Sequence, residues 1–230
     1  MKKIAALMTA VLVLALAASA PAVVINEFMY STEGGNAFIE LYNRSGAPVD
    51  VSGWKLRTSN AAANDWSAAF YTVPAATTLA VGEFYLIASQ DVFVTVPDVE
   101  QPFTLPNPIG TPNKCVGVQL TDGTDPIDTV LYGDGAVAAS GNIVDDAGSQ
   151  AAADQVDVEN VQIGGGAAKD LSVSKGFSLR RSLDGGPKGS DGNGWDTNTS
   201  SNDFVAAIGG DASPKNRAGT PVTLSVFEIE

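Results

Sequence analysis

Hydrophobic and polar residues alternate along most of the chain after residue 22, and turn-forming residues interrupt the pattern about every 8 to 12 positions. Residues 83–88 form a nearly continuous apolar run, which predicts a strand buried on both faces. Residues 115–120 and 127–132 alternate on either side of a short Asp-Gly turn and predict a hairpin. No helical period of useful length occurs, so the pattern predicts an all-β, antiparallel sandwich.

The pattern is clearest in residues 38–56, where a strand, a turn-rich loop and a second strand follow one another. Ile39 and Leu41 fall on one face of the first strand, while Phe38, Glu40 and Tyr42 fall on the other. Trp54 follows the second strand and is the expected core anchor, because burial of its ring removes a large apolar surface from water.

Two later segments depart from this regularity. Residues 97–112 contain five prolines, which lack the amide donors of a central strand, so we expect a long surface loop there. Residues 134–169 are poor in aromatic residues and rich in Gly, Ala and Asp, which predicts a loop-rich insertion. Residues 220–230 alternate again and form a tail that is either an additional strand or disordered.

The first 22 residues have the pattern of a secretory signal peptide. Lys2 and Lys3 precede an apolar run, and small residues follow it up to Ala22, after which we expect cleavage. The run is shorter than the roughly 20 residues that span a bilayer, so we expect no transmembrane segment after cleavage. The sequence therefore predicts a secreted or cell-surface protein.

The amino-acid composition restricts which partners are expected for this chain. The 230-residue chain has a formal net charge of −13, so nucleic acid is not an expected partner, because phosphate backbones are repelled by an acidic surface. Cys115 is the only cysteine, which excludes an internal disulfide but leaves a bridge to another chain open.

A set of short motifs follows along the chain: VINE at 24–27, FIELYN at 38–43, PVDVSGWKL at 48–56, LAVGEFYLI at 79–87, VQLTD at 118–122, GFSLRR at 176–181, NDF at 202–204 and SPKN at 213–216. Together these motifs resemble the bacterial lamin tail domain family. The resemblance covers residues 23–219 in the order of the family. It implies an immunoglobulin-like β-sandwich in an exported or surface protein that acts as a binding or accessory module.

Candidate chemistry is restricted by the absence of histidine. Without His, Ser-His-Asp and Cys-His nucleophiles and His-ligated zinc sites are excluded. A glycosidase needs only two carboxyl groups facing each other, and Glu27 and Glu40 are candidates because each interrupts an apolar strand. The alternative for both is an outward or edge position, or pairing with Lys55 or Arg44.

Calcium is the one cofactor that the sequence suggests. Asp191, Asn193 and Asp196 place oxygen side chains in a Gly-rich turn, which resembles half of a calcium loop. The remaining positions of such a loop are not filled by acidic residues. A solvated turn is the alternative, because Asp and Asn accept unusual backbone angles and cap their own backbone.

Two tryptophans lie in loop-like surroundings and are candidate ligand contacts. Trp66 and Trp195 would form an aromatic platform for sugar if both rings faced solvent, whereas isolated loop aromatics commonly fold back onto their domain. We expect a non-enzymatic binding or structural module whose partners are cell-envelope or extracellular proteins or glycans, with self-association through the tail as a further expectation. The competing function is a carboxylate-based hydrolase of extracellular polysaccharide, or a carbohydrate-binding module.

Overall fold

The computed structural model describes residues 21–30, 37–60, 64–89, 96–106, 115–133, 138–157, 178–181, 193–207 and 214–219. Residues 1–20 of the predicted signal peptide and the whole predicted tail, residues 220–230, lie outside this set. No helix in the described ranges is long and apolar enough to cross a membrane.

The described backbone is built almost entirely from strands. Their bounds are β1 Val23–Met29, β2 Phe38–Asn43, β3 Val49–Asp50, β4 Lys55–Asn60, β5 Asp65–Trp66, β6 Tyr71–Thr72, β7 Thr78–Leu79, β8 Phe84–Ala88, β9 Val99–Glu100, β10 Cys115–Thr121, β11 Pro126–Gly133, β12 Val156–Asp157, β13 Ser178–Arg181 and β14 Phe204–Ala207. A single-turn 3₁₀ helix at Ala152–Asp154 and the short helix α1 at Ser200–Asp203 complete the described elements.

Two sheets form the sandwich. In the described residues the front sheet has the order β14-β13-β1-β2-β8-β9, and the back sheet has the order β12-β11-β10-β4-β5 with β6 also paired to β4. The predicted hairpin is confirmed, because β10 and β11 pair antiparallel from Cys115–Gly133 to Thr121–Pro126. Two edge pairings, β8 with β9 and β11 with β12, are parallel, so the antiparallel arrangement is broken at one edge of each sheet.

The two strands predicted in residues 38–56 both form, but they do not pair with each other. Strand β2 lies between β1 and β8, whereas β3 pairs with β7 in a separate two-stranded sheet. Strand β8 is buried along its whole length, as its apolar run predicts. Strand β9 lies inside the proline-rich segment predicted as a loop. Two prolines flank β9 outside its two residues, and its position at the sheet edge tolerates missing donors.

The core lies between the inward faces of the two sheets. Ile39 and Leu41 enter it from the front sheet, and Val118 and Leu120 enter it from the back sheet. Trp54, the expected core anchor, is only half-buried. It packs against the edge of this cluster and does not lie at its centre. The alternation of β2 therefore directs Glu40 away from the core, toward the outer face of the front sheet.

Candidate functional site

A bulge in β1 brings two acidic side chains together. The β1–β2 register shifts between Ile25 and Glu27, so Asn26 is the extra residue and Glu27 lies directly opposite Glu40. Both carboxyl groups are on the outer face of the front sheet, yet Glu27 is 3% exposed and Glu40 is 1% exposed. The structure thus places the predicted pair side by side and encloses it, instead of setting it across an open cleft.

Each carboxyl of the pair accepts hydrogen bonds from the protein itself. Asn26 Nδ2 donates to Glu40 Oε1 at 2.6 Å, and the backbone N–H of Lys215 donates to Glu40 Oε2. The Ser178 hydroxyl donates to Glu27 Oε1. Burial, and then the neighbouring Glu27, raise the pKa of Glu40 to about 8, although the bonds from Asn26 and Lys215 favour its ionised form.

Asn26 also fixes the segment that was predicted to bind calcium. Its Nδ2 donates to Asn193 Oδ1 at 3.2 Å, and its Oδ1 accepts the N–H of Gly194 at 2.8 Å. Gly194 has φ +77° and approaches Tyr42 and Arg44 so closely that a Cβ there would lie 2.8 Å from the Arg44 Cβ. The side chain of Asn193 is therefore engaged in holding its own loop to β1.

A buried arginine joins the two sheets. Leu179 and Arg181 share the inward face of β13, and Asp128 points inward from β11. Arg181 NH2 donates to Asp128 Oδ1 and Oδ2 at 2.6 and 2.7 Å, while its Nε donates to the Ile25 carbonyl at 2.7 Å. The N–H of Ile25 donates to Asp128 Oδ2 at 2.5 Å. These bonds link the front and back sheets through one ion pair, with no exposure above 1% at either side chain.

Further acids surround Arg181. Its NH1 lies 3.3 Å from both Asp196 Oδ1 and Asp203 Oδ2, and Asp196 Oδ2 lies 3.4 Å from Arg44 NH1. Burial alone would lower the pKa of Arg181, but Asp128, Asp196 and Asp203 outweigh it and raise that pKa. Burial raises the pKa of Asp203 to about 6 in spite of Arg181.

Two of these carboxylates, together with Asp146, are the best candidate for a metal centre in the described residues. One oxygen from each of Asp128, Asp146 and Asp196 lies within 4.8 Å of the others. Burial, and then Asp128, raise the pKa of Asp146 to about 9. Oxygen ligands of this kind suit Ca²⁺. However, Arg181 already bonds Asp128 and Asp196, so a guanidinium supplies positive charge where a cation would sit.

Only two of the three predicted calcium ligands lie within the described residues. Asp191 lies outside the described residues, and Asn193 and Asp196 contact different partners, Asn26 and Arg181 respectively. Binding of calcium by Asp191, Asn193 and Asp196 stays a prediction.

The two candidate tryptophans are half-buried and contact different elements. Trp66 packs against a small apolar cluster with Cys115 and Leu131 on the outer side of the back sheet, and Arg57 lies 5.6 Å above its ring. The Trp195 carbonyl accepts a hydrogen bond from Arg181 at 2.8 Å. The structure does not join these two rings into one platform.

The roles of Arg181, Asp128 and Asn26 were not predicted from the sequence, although part of the signal was present. In FSLRR, strand alternation puts one of the two arginines on the inward face with Leu179, and a buried arginine requires acidic partners. Asp128 stands two residues before Val130 on the apolar face of its strand. The bulge at Asn26 has no comparable signal, because a one-residue register shift depends on pairing with β2.

Comparison with known proteins gives one family. A family model described as Lamin Tail Domain matches residues 17–140. This range spans β1 to β11 and includes both Glu27 and Glu40, whereas Arg181 and residues 214–219 lie beyond it. No curated protein matches the chain significantly.

Proposed function

The chain belongs to the lamin tail domain family, a family of immunoglobulin-like domains, and on that premise we propose that it is a secreted or cell-surface module that binds or organises other molecules without catalysis. Its proposed partners are cell-envelope or extracellular proteins or glycans. Export is proposed from the Lys2-Lys3 leader and its apolar run, with cleavage after Ala22.

The observation that carries the non-catalytic part of the proposal is that the buried carboxyl groups bind other groups of the protein itself. Glu40 holds Asn26 and the Lys215 backbone, and Asp128 holds Arg181 and the Ile25 backbone. A glycosidase needs two carboxyls flanking a bond of the bound sugar. Glu27 and Glu40 are instead enclosed and adjacent, so their arrangement supports a structural role.

The acidic net charge of the chain favours some classes of partner over others. With 26 acidic and 13 basic residues, the chain would be repelled electrostatically by any phosphate backbone, at a cost in binding free energy. Uncharged glycans and proteins with basic surfaces carry no such cost. Self-association through residues 220–230 is retained as an expectation, which light scattering of the chain with and without residues 221–230 checks.

Binding is tested by capture of the mature chain, residues 23–230, on purified cell-envelope glycan, on DNA and on whole cells, each with and without calcium. The proposal predicts retention by envelope or cells and none by DNA at physiological salt. Retention by DNA alone would contradict it. Fractionation of the producing cells, with N-terminal sequencing of the exported chain, tests secretion separately.

A further inference from the structure

Residues 193 and 194 are the only Asn-Gly pair in the sequence. Such a pair can modify itself, because Gly has no side chain that would shield its backbone nitrogen. The Gly194 nitrogen gives its proton to hydroxide and attacks Asn193 Cγ, the Cγ–Nδ2 bond breaks, and ammonia leaves after taking a proton from water. A water molecule then opens the five-membered imide at either carbonyl, which leaves aspartate or isoaspartate at position 193.

The fold binds both reacting groups through one side chain, that of Asn26 in the β1 bulge. Asn26 Oδ1 accepts the N–H of Gly194 at 2.8 Å, and Asn26 Nδ2 donates to Asn193 Oδ1 at 3.2 Å. Gly194 is buried, so its N–H faces Asn26 instead of solvent. A buried and bonded amide loses its proton only when the structure around it opens. Asn26 therefore prevents the proton transfer with which the modification begins.

The two bonds from Asn26 have opposite effects on the reaction. The bond to Asn193 Oδ1 draws electrons away from Cγ, which by itself would favour attack. It is the longer and weaker bond of the two, and it helps only a nitrogen that has already lost its proton. Since the bond to the Gly194 N–H prevents that loss, the net effect of Asn26 is protection.

Asn26 and Gly194 are both held firmly in place. Asn26 is 3% exposed, and its Nδ2 also donates to Glu40 Oε1 at 2.6 Å. Gly194 packs so closely on β2 that a Cβ there would lie 2.8 Å from the Arg44 Cβ. The Gly194 backbone therefore has little room to turn for the attack while the loop of residues 193–196 lies against β1 and β2.

We propose that Asn193 is a latent self-modification site, which Asn26 keeps unreacted in the fold and which reacts after the loop of residues 193–196 leaves β1. The reaction makes this departure lasting. Isoaspartate adds a carbon to the backbone of the loop, and either product carries a negative charge next to the Asn26 amide that binds Glu40. The modified loop therefore no longer fits its place against β1.

Departure of the loop also affects the buried arginine. Asp196 Oδ1, in the same loop, lies 3.3 Å from Arg181 NH1, whereas Asp128 binds Arg181 from the back sheet. Loss of the loop takes one acid away from Arg181 but leaves the Arg181–Asp128 pair in place. Modification at position 193 thus marks chains whose loop has opened, while the sandwich remains folded.

Peptide mapping of the mature chain, aged in mildly alkaline buffer, tests the proposal. The fractions of asparagine, aspartate and isoaspartate at position 193 are followed over time in buffer alone and in urea that unfolds the chain. We expect the folded chain to react at least about fivefold more slowly than the unfolded chain, the change that one ordinary hydrogen bond makes to the population of an opened loop. Equal rates, or a faster reaction in the folded chain, would overturn the proposal.

Two variants assign the protection to Asn26. Asn26→Ala removes both bonds, so modification at position 193 in native buffer should be faster than in the wild type by about fivefold or more. Val118→Ala weakens the core on the back sheet without touching the loop, and as the matched control it should keep the wild-type rate. A wild-type rate in Asn26→Ala, or an equal acceleration in Val118→Ala, would contradict the assignment.

Hydrogen exchange of the wild-type chain carries the test if Asn26→Ala does not fold. In urea too dilute to unfold the sandwich, exchange of the Gly194 amide and modification at position 193 should rise together, while the Val118 amide stays protected. A modification rate that follows Val118 exchange, or that is independent of Gly194 exchange, would overturn the proposal.

Discussion

At the scale of single residues, the chain places charge where a sandwich ordinarily places hydrocarbon. Arg181 is almost fully enclosed, and taking its charge out of water is costly unless other groups replace the lost hydration. Asp128, the Ile25 carbonyl and the Phe204 ring at 4.7 Å provide that replacement. Because these partners belong to both sheets, the pair also specifies how the sheets are aligned.

Removal of one partner of the Arg181–Asp128 ion pair should destabilise the folded protein strongly. Asp128→Ala leaves the NH2 group of Arg181 and the Ile25 N–H without their acceptor, and we expect the free energy of unfolding to fall by about 3–5 kcal/mol. The midpoint of urea unfolding measures the loss. The matched control is Arg217→Ala, which removes a pair at the protein surface and should cost no more than about 1 kcal/mol. Equal losses in the two variants would show that Asp128 has no special role.

At the scale of elements, the loop of residues 193–196 depends on close packing against β2. Gly194 and Gly53 have the same φ of +77°, but a Cβ at Gly53 meets nothing within 4 Å, whereas one at Gly194 meets Arg44 and the Tyr42 ring. The two glycines therefore differ in packing and share the backbone requirement.

We expect Gly53→Ala to cost about 1 kcal/mol for the left-handed backbone alone. Gly194→Ala should cost roughly 1–3 kcal/mol more, because its Cβ forces the loop away from β2. Thermal unfolding of the two variants measures the difference. If Gly194→Ala is no worse than Gly53→Ala, the loop is not held by this contact.

The positions of the strands could be predicted from the sequence better than the pairing of one strand with another. Alternation located β2, β10 and β11, because one buried face imposes a period of two on each strand, and a continuous apolar run located β8. It could not show that β2 pairs with β1 and β8 while β3 pairs with β7, since pairing across sheets depends on the whole fold. For the same reason Glu27 and Glu40 were recognised as anomalous, but neither their adjacency nor the bond from the Lys215 N–H to Glu40 followed from the pattern.

At the scale of the whole molecule, buried carboxyl groups determine how stability depends on pH. The folded protein raises the pKa of Glu40 to about 8, of Asp146 to about 9 and of Asp203 to about 6. The unfolded chain releases the corresponding protons near pH 4. The folded state therefore binds more protons in between, and stability decreases as pH rises through that window.

We expect the thermal midpoint to fall continuously from about pH 5 to pH 9. Exposed Asp50 and Asp122, whose pKa values are lowered by local hydrogen bonds, act oppositely and only under more acidic conditions. Calorimetry across this range checks the slope, and Asp146→Asn should flatten its alkaline part. A midpoint that rises toward pH 9 would contradict the assignment of neutral carboxyl groups in the fold.

The proposed function of the whole molecule is binding without catalysis, and one sedimentation experiment tests it most directly. The mature chain is incubated with insoluble cell-envelope glycan, and both the protein retained in the pellet and the reducing ends released into solution are measured. The account predicts saturable retention and no release of reducing ends above a protein-free control. Release of reducing ends that Glu27→Gln or Glu40→Gln abolishes would contradict it and identify a carboxylate hydrolase.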